Sequence, residues 1–441
     1  MTDGFRWHPE ARLFDSAGTE VLASAPPRSR TDDARGAGGA QGAILPDSPQ
    51  GLAQAFGHPA FRIGAPDQPS PEPHSQPILE TLTSGSTGQP RRIRRTQASW
   101  AASFAVNASL GIGPGARVAT LGRLVHSLSL YGAIEGLSLG AHVHHLADLR
   151  PDRQRTALAA RRITQLYATP AQLRLLLGPD PLPDPLPDPL TDLGLILVGG
   201  SKLDPALRAG LAALAPKAHL REFYGAAETS FITLADATTP EASVGRPYPG
   251  VALQLDPSGE VWVKSPYLFL GYAPAFHTCP NIPAGGIAEP VARSSRAEAR
   301  QGTCASALDS PPAATRWRDG WLSVGEIGAL NEGFLHLKGR AGRMVTVADQ
   351  NVFPEEIEAL LHSLPGVSRA AVLPVPDARR GHGLIAVLQG DPRQETAILT
   401  SLRQALGPLK SPRSLIWRDD WPVLASGKTD LLALRATIWP A

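Results

Sequence analysis

The chain is poor in cysteine and in long apolar runs, and each scarcity argues against a class of protein. Its 441 residues contain two cysteines, too few for the disulfide framework of a small secreted domain or for a zinc site made of cysteine alone. No run of 18 apolar residues occurs, so a membrane-spanning helix is not expected. The first residues also lack the charged and then apolar pattern of a secretion signal. These features predict a soluble, cytoplasmic protein.

The chain also lacks a strong excess of either positive or negative charge. The chain carries 42 Lys and Arg residues against 40 Asp and Glu residues, a formal net charge of +2, which gives no reason to expect nucleic acid or an anionic membrane as a partner. Lysine is scarce among the basic residues. The six lysines are Lys202, Lys217, Lys264, Lys338, Lys410 and Lys428. Since arginine supplies the other 36 of the 42 (42 − 6), a lysine inside a motif is of particular interest.

The most informative stretch is TLTSGSTGQPRRIRRT, residues 81–96. Gly85 and Gly88 allow the backbone to approach a ligand closely, and successive backbone N–H groups in such a turn form a concave nest for phosphate oxygens. Hydroxyl groups supply further donors, and Arg91 and Arg92 supply fixed positive charge. The stretch therefore predicts an anion-binding loop that leaves a strand. It is not a Walker loop, because no Gly-Lys-Ser/Thr follows.

Two later segments carry residues suited to ligand binding. In LVGGSKL an apolar strand ends at Gly199 and Gly200, and open α/β sheets bind ligands at the carboxyl ends of their parallel strands. In EFYGAAET, Tyr224 offers an aromatic face and Glu228 offers a hard oxygen ligand of the kind that Mg²⁺ prefers.

Three more motifs follow: DGWLSVGEIG at 319–328, LKGRAGR at 337–343 and LASGKTD at 424–430. Taken in order, all these segments resemble the motifs of the AMP-forming adenylating enzymes, which include acyl-CoA synthetases, peptide-synthetase adenylation domains and luciferases. The resemblance extends over residues 81–430, which is 350 of the 441 residues.

The resemblance implies a nucleotide site. Tyr224 would stack on adenine, and Gly225 would leave room for it. Glu326 would accept hydrogen bonds from the ribose hydroxyls, and Glu228 would bind Mg²⁺ near the phosphates. The implied nucleotide-binding residues are Thr83, Ser84, Gly85, Ser86, Thr87, Gly88, Arg91, Gly199, Gly200, Tyr224, Gly225, Glu326 and Arg340.

The resemblance also implies catalytic, pocket and hinge residues. Lys428 would neutralise charge while the substrate carboxylate attacks the α-phosphate, with Glu228 and Thr87 completing the catalytic set. The hinge between two domains would lie at Gly342. The implied acyl pocket comprises His126, Tyr131, Ser201 and Phe223, with Leu128, Phe231 and Ile232 as further apolar candidates.

Several positions depart from the family pattern. Arg91 stands where the family usually has Lys, Ala227 where it has Thr, and Glu326 where it has Asp. Gly342 replaces a hinge Asp or Lys, Asp349 replaces a customary Gly, and the part before the phosphate loop is short. These departures keep open a different class, a nucleotide-binding relative without turnover. The presence of Glu228, Arg340 and Lys428 favours an enzyme.

The expected fold class is α/β: a large N-terminal domain with largely parallel sheets and a β-rich subdomain, then a small mobile α+β domain. Strands and helices alternate between residues 96 and 235, and a continuous apolar run such as 193–198 is typical of a parallel strand covered on both faces. A Pro/Asp-rich surface insert is expected at 181–190. The expected domains are a shortened, partly flexible region 1–80, an AMP-binding domain 81–339 with a mobile insert at 273–314, and a C-terminal domain 340–441 with its hinge near 340–343.

The expected reaction uses ATP and Mg²⁺ to convert a carboxylic acid into an acyl-AMP, with release of pyrophosphate, and then transfers the acyl group to a thiol. Coenzyme A is the expected acceptor, because the chain has no carrier domain, and a separate acyl-carrier protein is the alternative. The apolar pocket candidates suit an aryl or aliphatic acid, as in fatty acid metabolism, better than an amino acid.

Overall fold

The computed structural model describes residues 4–23, 42–82, 91–178, 188–273, 315–347, 350–377, 381–424 and 427–438. The strands of this part are β1 (Arg12–Phe14), β2 (Glu20–Val21), β3 (Ala43–Leu45), β4 (Ala60–Ile63), β5 (Ile78–Leu82), β6 (Arg92–Thr96), β7 (Arg117–Thr120), β8 (His142–His145), β9 (Gln165–Ala168), β10 (Leu195–Val198), β11 (His219–Ala226), β12 (Ser230–Ala235), β13 (Arg246–Pro247), β14 (Ala252–Leu255), β15 (Val261–Lys264), β16 (Gly271–Tyr272), β17 (Arg316–Arg318), β18 (Trp321–Ser323), β19 (Glu326–Asn331), β20 (Phe334–Arg340), β21 (Val345–Val347), β22 (Gln350–Val352), β23 (Val367–Asp377), β24 (Gly381–Gly390) and β25 (Leu415–Trp417). Its α-helices are α1 (Pro49–Ala55), α2 (Gln97–Ala108), α3 (Ser127–Leu139), α4 (Pro151–Ala160), α5 (Pro170–Leu177), α6 (Pro205–Leu214), α7 (Pro354–His362), α8 (Glu395–Lys410) and α9 (Leu431–Ile438). Short 3-10 helices lie at Ala341–Arg343 and Pro392–Gln394.

A nine-stranded sheet forms the centre of the large domain, in the order β13-β12-β11-β10-β9-β7-β8-β1-β2. The strands from β11 to β1 run parallel to one another. In β10, Leu195 and Leu197 pack on the side of α3, whereas Ile196 and Val198 pack on the opposite side with α4, α5 and α6. Helices on both faces of a largely parallel sheet confirm the predicted α/β class.

The described parts of the first 80 residues, 4–23 and 42–80, belong to this architecture. Strand β1 lies parallel to β8, with Leu13 paired with Val143, and Phe5 is buried in the same core as α2 and α3. Strands β3 and β4 join β5 and β6 in a second sheet of five strands. The predicted division at residue 80 therefore does not follow the sheets, because strands from both sides of it pair with each other.

The five-stranded sheet, in the order β16-β6-β5-β4-β3, frames the predicted phosphate loop. Strands β5 and β6 are antiparallel and Leu82 pairs with Arg92, so the strands bracket residues 83–90, which lie outside the described residues. Inside the sheet, Glu80 accepts from Arg62 at 2.8 Å and from Arg92 at 3.4 Å, and both Arg62 and Glu80 are 1% exposed or less. The charges of these buried groups are thus paired, as burial requires.

The β-rich subdomain and the small domain complete the fold. Strands β14, β15, β18 and β17 form one sheet, and β23, β24 and β25 form another. The second sheet is covered by α7 and α8 on one face and by α9 on the other. Helix α7 begins at Pro354, with Glu355 and Glu356 in its first turn, where proline and acidic residues favour a helix start. Among the described helices, none has the length and apolar character needed to cross a membrane.

A buried carboxylate lies between α3 and the sheet. Glu135 is fully buried and accepts hydrogen bonds from the Tyr131 hydroxyl at 2.7 Å, from the Asn107 amide at 2.8 Å and from the Tyr167 hydroxyl. Burial raises the pKa of Glu135 to about 7, while these three donors act in the opposite direction. The carboxyl group therefore holds its proton more tightly in the folded chain than in the unfolded one.

This difference in proton affinity makes stability depend on pH. Because the folded pKa of Glu135 is the higher one, its contribution is complete below the unfolded pKa and is lost as the pH rises through about 7. We expect the free energy of unfolding of the parent, measured relative to Glu135→Gln, to fall by roughly 2 to 3 kcal/mol between pH 5 and pH 8. Urea unfolding at both pH values measures it, with Glu10→Gln on the surface as the control. A constant difference between the parent and Glu135→Gln would contradict the prediction.

Candidate active site

The double glycine lies at the carboxyl end of β10. A Cβ atom on Gly199 would lie 2.2 Å from Cζ of Phe223, so the aromatic ring occupies the space of a side chain. Gly200 has a φ of 106°, a conformation that favours glycine. The adjacent strand β11 carries Tyr224 and Gly225 at the same end of the sheet. These positions form the floor of the candidate site.

The turn between β11 and β12 presents Glu228. Thr229 is fully buried, and its hydroxyl accepts from the backbone N–H of Ala226 at 3.0 Å. The backbone carbonyl of Glu228 accepts from the N–H of Phe269 at 2.9 Å. The Glu228 backbone is therefore fixed from two directions.

Tyr272 contacts the Glu228 carboxylate, a role that the motifs did not predict. Its hydroxyl donates to Oε1 of Glu228 at 2.6 Å, and the Arg91 guanidinium carbon lies 4.7 Å from the centre of the Tyr272 ring. Burial and the charge of Glu228 raise the pKa of Tyr272 to about 12, so the phenol keeps its proton at neutral pH. The residue lies on β16, which pairs with β6, and no spacing in the sequence links it to Glu228.

Glu326 and Arg340 lie opposite each other at the open end of the β19–β20 hairpin. Nε of Arg340 donates to Oε1 of Glu326 at 2.9 Å. Burial raises the pKa of Tyr224 well above its usual value, the charge of Glu326 raises it further, and Arg340 opposes this effect. The Tyr224 hydroxyl is buried without a hydrogen-bond partner among the described residues. The structure thus brings together three of the predicted nucleotide-binding residues.

Lys428 reaches the same place from the small domain. It lies in a tight turn in which Leu424 donates to the Lys428 carbonyl at 2.8 Å. A Cβ atom on Gly427 would lie 2.6 Å from that of Ala171 on α5, so the turn packs against the large domain. The Lys428 side chain is exposed to solvent. The protein atoms around its ammonium group still exclude some water, and this loss of water together with the charge of Arg340 lowers the pKa of Lys428, while two carboxylates oppose the shift. Those carboxylates are Glu326 and Glu228.

Two arginines flank the predicted hinge. Arg340 is bound to Glu326 of the large domain, whereas Arg343 is bound to the small domain through Glu358 at 2.7 Å and Glu355 at 3.3 Å. Gly342 lies between them in the short helix Ala341–Arg343. The two arginines are therefore bound on opposite sides of the predicted hinge, with Gly342 between them.

The predicted pocket residues are only partly brought together. His126 precedes α3 and bridges to Leu82, next to the predicted phosphate loop. Phe223 and Phe231 meet edge to face, 4.8 Å between ring centres, and Phe231 meets Tyr131 in the same way at 5.2 Å. Tyr131 is 5% exposed and Phe231 is 3% exposed, so both lie in the core behind Phe223, which is only partly buried.

Ile232 is a correction. It follows Phe231 on β12, and successive residues of a strand point to opposite faces. Ile232 packs with Val261 and Leu335 in a separate cluster. The prediction that it lines the same pocket as Phe231 is therefore wrong. Ser201 is exposed after β10, and Leu128, in the first turn of α3, is partly buried against the core.

Some predicted residues and segments cannot be placed. They lie outside the described residues and are Thr83, Ser84, Gly85, Ser86, Thr87, Gly88, Asp349 and most of the inserts at 181–190 and 273–314.

The carboxylate available in the site suits a Mg²⁺ ion that is also coordinated by the phosphates of the nucleotide. Among the described residues, no group of three or more His, Cys, Asp or Glu side chains is placed to hold a metal ion. Mg²⁺ is commonly bound through one or two carboxylates together with substrate phosphates. Glu228, a carboxylate oriented by Tyr272, fits that arrangement.

Comparison with protein families settles the classification. The family model described as AMP-binding enzyme matches residues 15–273, and the one described as AMP-binding enzyme C-terminal domain matches residues 356–428. The chain belongs to the AMP-binding enzyme family. Two curated relatives are ligases by description, so the predicted family and the predicted enzyme class, an AMP-forming acid–thiol ligase, are confirmed.

The first relative is an uncharacterized acyl-CoA ligase, YhfT, from Bacillus subtilis, 29% identical over 80% of this chain and 67% of that protein. The second is a putative long chain fatty acid-CoA ligase, VraA, from Staphylococcus haemolyticus, 27% identical over 79% of this chain and 67% of that protein. The chain thus spans about two thirds of the length of these relatives. The solved structure of ATP-bound MatB from Rhodopseudomonas palustris is similar in fold, with a TM-score of 0.65 at 22% identity over 89% of this chain and 76% of that one.

The contact between Glu228 and Tyr272 leads to a test. We expect Glu228→Gln to raise the Mg²⁺ concentration needed for half-maximal adenylation by about tenfold or more, because an amide is a weaker ligand than a carboxylate. Tyr272→Phe, which removes only the orienting donor, shifts it in the same direction by less. A Mg²⁺ titration of ATP–pyrophosphate exchange measures both, with the exposed Glu241→Gln as the control. An unchanged titration in folded Glu228→Gln would show that the motif is misassigned.

Proposed function

We propose that the chain activates a carboxylic acid with ATP, forming an acyl-AMP and pyrophosphate, and then transfers the acyl group to a thiol, with coenzyme A as the acceptor. The observation that carries the proposal is the meeting of two domains at one site. Lys428 of the small domain lies close enough to Glu228, Glu326 and Arg340 of the large domain for their charges to act on its pKa. A lysine from the C-terminal motif is thereby available where the large domain presents its nucleotide-binding groups.

Each residue has a role in the proposed first step. Tyr224 stacks on the adenine, Glu326 binds the ribose and Arg340 contacts the nucleotide. The segment 83–88 and Arg91 hold the phosphates, and Thr87 donates to them. In the pocket, His126 and Ser201 face the acyl group. Mg²⁺ held by Glu228 would neutralise phosphate charge.

The bonds change in two steps. In the first, a carboxylate oxygen of the acid bonds to the α-phosphorus, and the bond from that phosphorus to pyrophosphate breaks. Lys428 offsets the negative charge that gathers as two anions approach. In the second, the thiol loses its proton, its sulfur bonds to the acyl carbon, and AMP leaves. Rotation about Gly342 separates the two steps.

The walls of the pocket favour an apolar acid. The partly buried ring of Phe223 covers Gly199 and is backed by the buried ring of Phe231, so an aromatic side chain lies beside the double glycine. The buried acid nearby, Glu135, already accepts from three side chains and is not a partner for a substrate amine. An aryl or aliphatic acid suits these walls better than an amino acid. The relatives described as acyl-CoA and fatty acid-CoA ligases support the choice of class and of coenzyme A.

One experiment separates this proposal from its alternatives. ATP–pyrophosphate exchange with a panel of aryl, short aliphatic and long aliphatic acids should give a signal with at least one acid. Adding coenzyme A or an acyl-carrier protein to the active pair then identifies the acceptor. Binding of ATP without exchange for any acid would support the nucleotide-binding relative without turnover, to which the substitutions at Ala227, Glu326 and Gly342 point.

Lys428 gives the first prediction from this mechanism. We expect Lys428→Ala to lower the rate of acyl-AMP formation by several orders of magnitude, about the size seen when a charge-stabilising group is removed from an active site. The same variant should still convert supplied acyl-AMP and thiol into thioester, because the lysine serves only the first step. Lys410→Ala, a lysine on α8, is the matched control. Equal loss of both half-reactions in a folded Lys428→Ala protein would contradict the assignment.

The predicted hinge at Gly342 gives the second prediction from this mechanism. Proline fixes φ near −65°, so we expect Gly342→Pro to hold one orientation of the small domain and to retain only one of the two half-reactions. Gly342 is not among the residues with positive φ, so Gly342→Ala and Gly342→Asp should support both. Separate assays of the two half-reactions decide the matter. A proline variant with the parent rate for the complete reaction would place the pivot elsewhere.

A further inference from the structure

Arg95 is one of the largest fully buried side chains of the described residues, with an exposure of 1%. It lies on β6, the strand that follows segment 83–90. Arg62, which is buried to the same degree, is ion-paired with Glu80 at 2.8 Å. Arg95 has no carboxylate within ion-pair distance in the part of the chain that the structure describes. A buried charge of this kind is costly, and its place beside the site suggests a role.

The guanidinium carbon of Arg95 lies 5.4 Å from the centre of the Trp100 ring, and its hydrogen bonds go to the Glu228 turn and to Tyr267. Nη2 donates to the carbonyl of Ala227, the residue before Glu228. Nη1 donates to Oγ of Ser230 at 2.5 Å and to the carbonyl of Tyr267 at 3.2 Å. Ser230 has a φ of 57°, which is uncommon for a residue other than glycine, so the turn is held in a conformation that it would not adopt alone. Arg95 thus connects the strand after the phosphate loop to both ends of this turn.

The charge of Arg95 acts on the site without contacting it. Burial lowers the pKa of Arg95 to about 10, and the charge of Glu228 opposes that shift. The guanidinium therefore stays protonated at neutral pH. Among the described residues Arg95 forms no ion pair with Glu228, and the two opposite charges attract each other at longer range. A polyanion bound near Glu228 would add to this attraction.

We propose that Arg95 is a positioning residue for the nucleotide: it holds the Glu228 turn in register with the strand that carries the phosphate loop, and its buried charge favours the nucleotide-bound protein. The inference rests on the proposed function, since it concerns the same ATP site. Arg95 lies at the end of the stretch 81–96, but the resemblance gives it no role in the site.

The test compares three variants of the full chain. Arg95→Met removes the charge and the donors but keeps the length of the side chain, and Arg95→Lys keeps the charge. Arg94→Met is the matched control. Arg94 directly precedes Arg95 on the same strand, and its side chain donates hydrogen bonds to the carbonyls of Glu72 and Pro73, away from the site. Calorimetric titration measures the affinity for ATP in the presence of Mg²⁺. Thermal unfolding with and without the nucleotide shows that each variant is folded and how far the nucleotide stabilises it.

We expect Arg95→Met to bind ATP about tenfold more weakly or worse, as for loss of charged hydrogen bonds, and to gain less in Tm from ATP. Arg95→Lys should recover most of the affinity, and Arg94→Met should match the parent. In steady state, KM for ATP should rise more than KM for the acid. Should Arg95→Met not fold, Arg95→Gln takes its place with the same expected loss.

Two results would overturn the inference. One is a folded Arg95→Met or Arg95→Gln protein with the parent affinity for ATP. The other is an Arg94→Met protein that loses affinity to the same extent, which would make the effect a general one of strand β6. A parent chain that neither binds ATP nor exchanges pyrophosphate would instead contradict the proposed function, so the two failures are distinguishable.

Discussion

The ion pair between Glu326 and Arg340 is the contact on which the geometry of the site depends. It closes the open end of the β19–β20 hairpin, and the backbone of the hinge begins directly after it. The charges of Glu326 and Arg340 act on the pKa of Tyr224 in the large domain and on the pKa of Lys428 in the small domain. Glu326 is 7% exposed, so removing its partner would leave a buried charge uncompensated, which is strongly destabilising. One ion pair thus joins the end of the hairpin to the electrostatics of the candidate site.

The bias toward arginine takes on a structural meaning in the five-stranded sheet. Arg62, Arg92 and Arg95 all lie inside it, each less than 10% exposed. A guanidinium is more weakly hydrated than an ammonium and presents several donors in a plane, so it can be buried where backbone carbonyls are available. Arg62 illustrates this, since it binds the carbonyls of residues 64, 65, 68 and 69 in addition to Glu80. The sheet beside the phosphate loop is therefore held by cations rather than by apolar packing alone.

Features of the fold that depend on a few neighbouring residues can be predicted from the sequence. Features that depend on contacts between residues far apart in the chain cannot. Thr96 caps α2 and Pro354 begins α7, because a cap or a fixed φ acts within a few residues. The double glycine after β10 was found for the same reason. Tyr272 and Arg95 were missed, because each acquires its role from a turn that lies 40 or more residues away in the chain. Apolar character alone does not separate Ile232 from Phe231, whereas the alternation of side chains along β12 places the two on opposite faces.

The pairing of β1 with β8 has a consequence for how the chain reaches this structure. Leu13 pairs with Val143, which lies 130 positions later in the chain, and contacts between such distant segments slow folding because a long loop must close before they form. During synthesis, residues 12–14 leave the ribosome well before their partner strand exists. Until β8 is made, β1 can pair only with β2, and its other edge stays open to association with other chains. The outer strands of the central sheet thus complete their pairing only after β8 has been made.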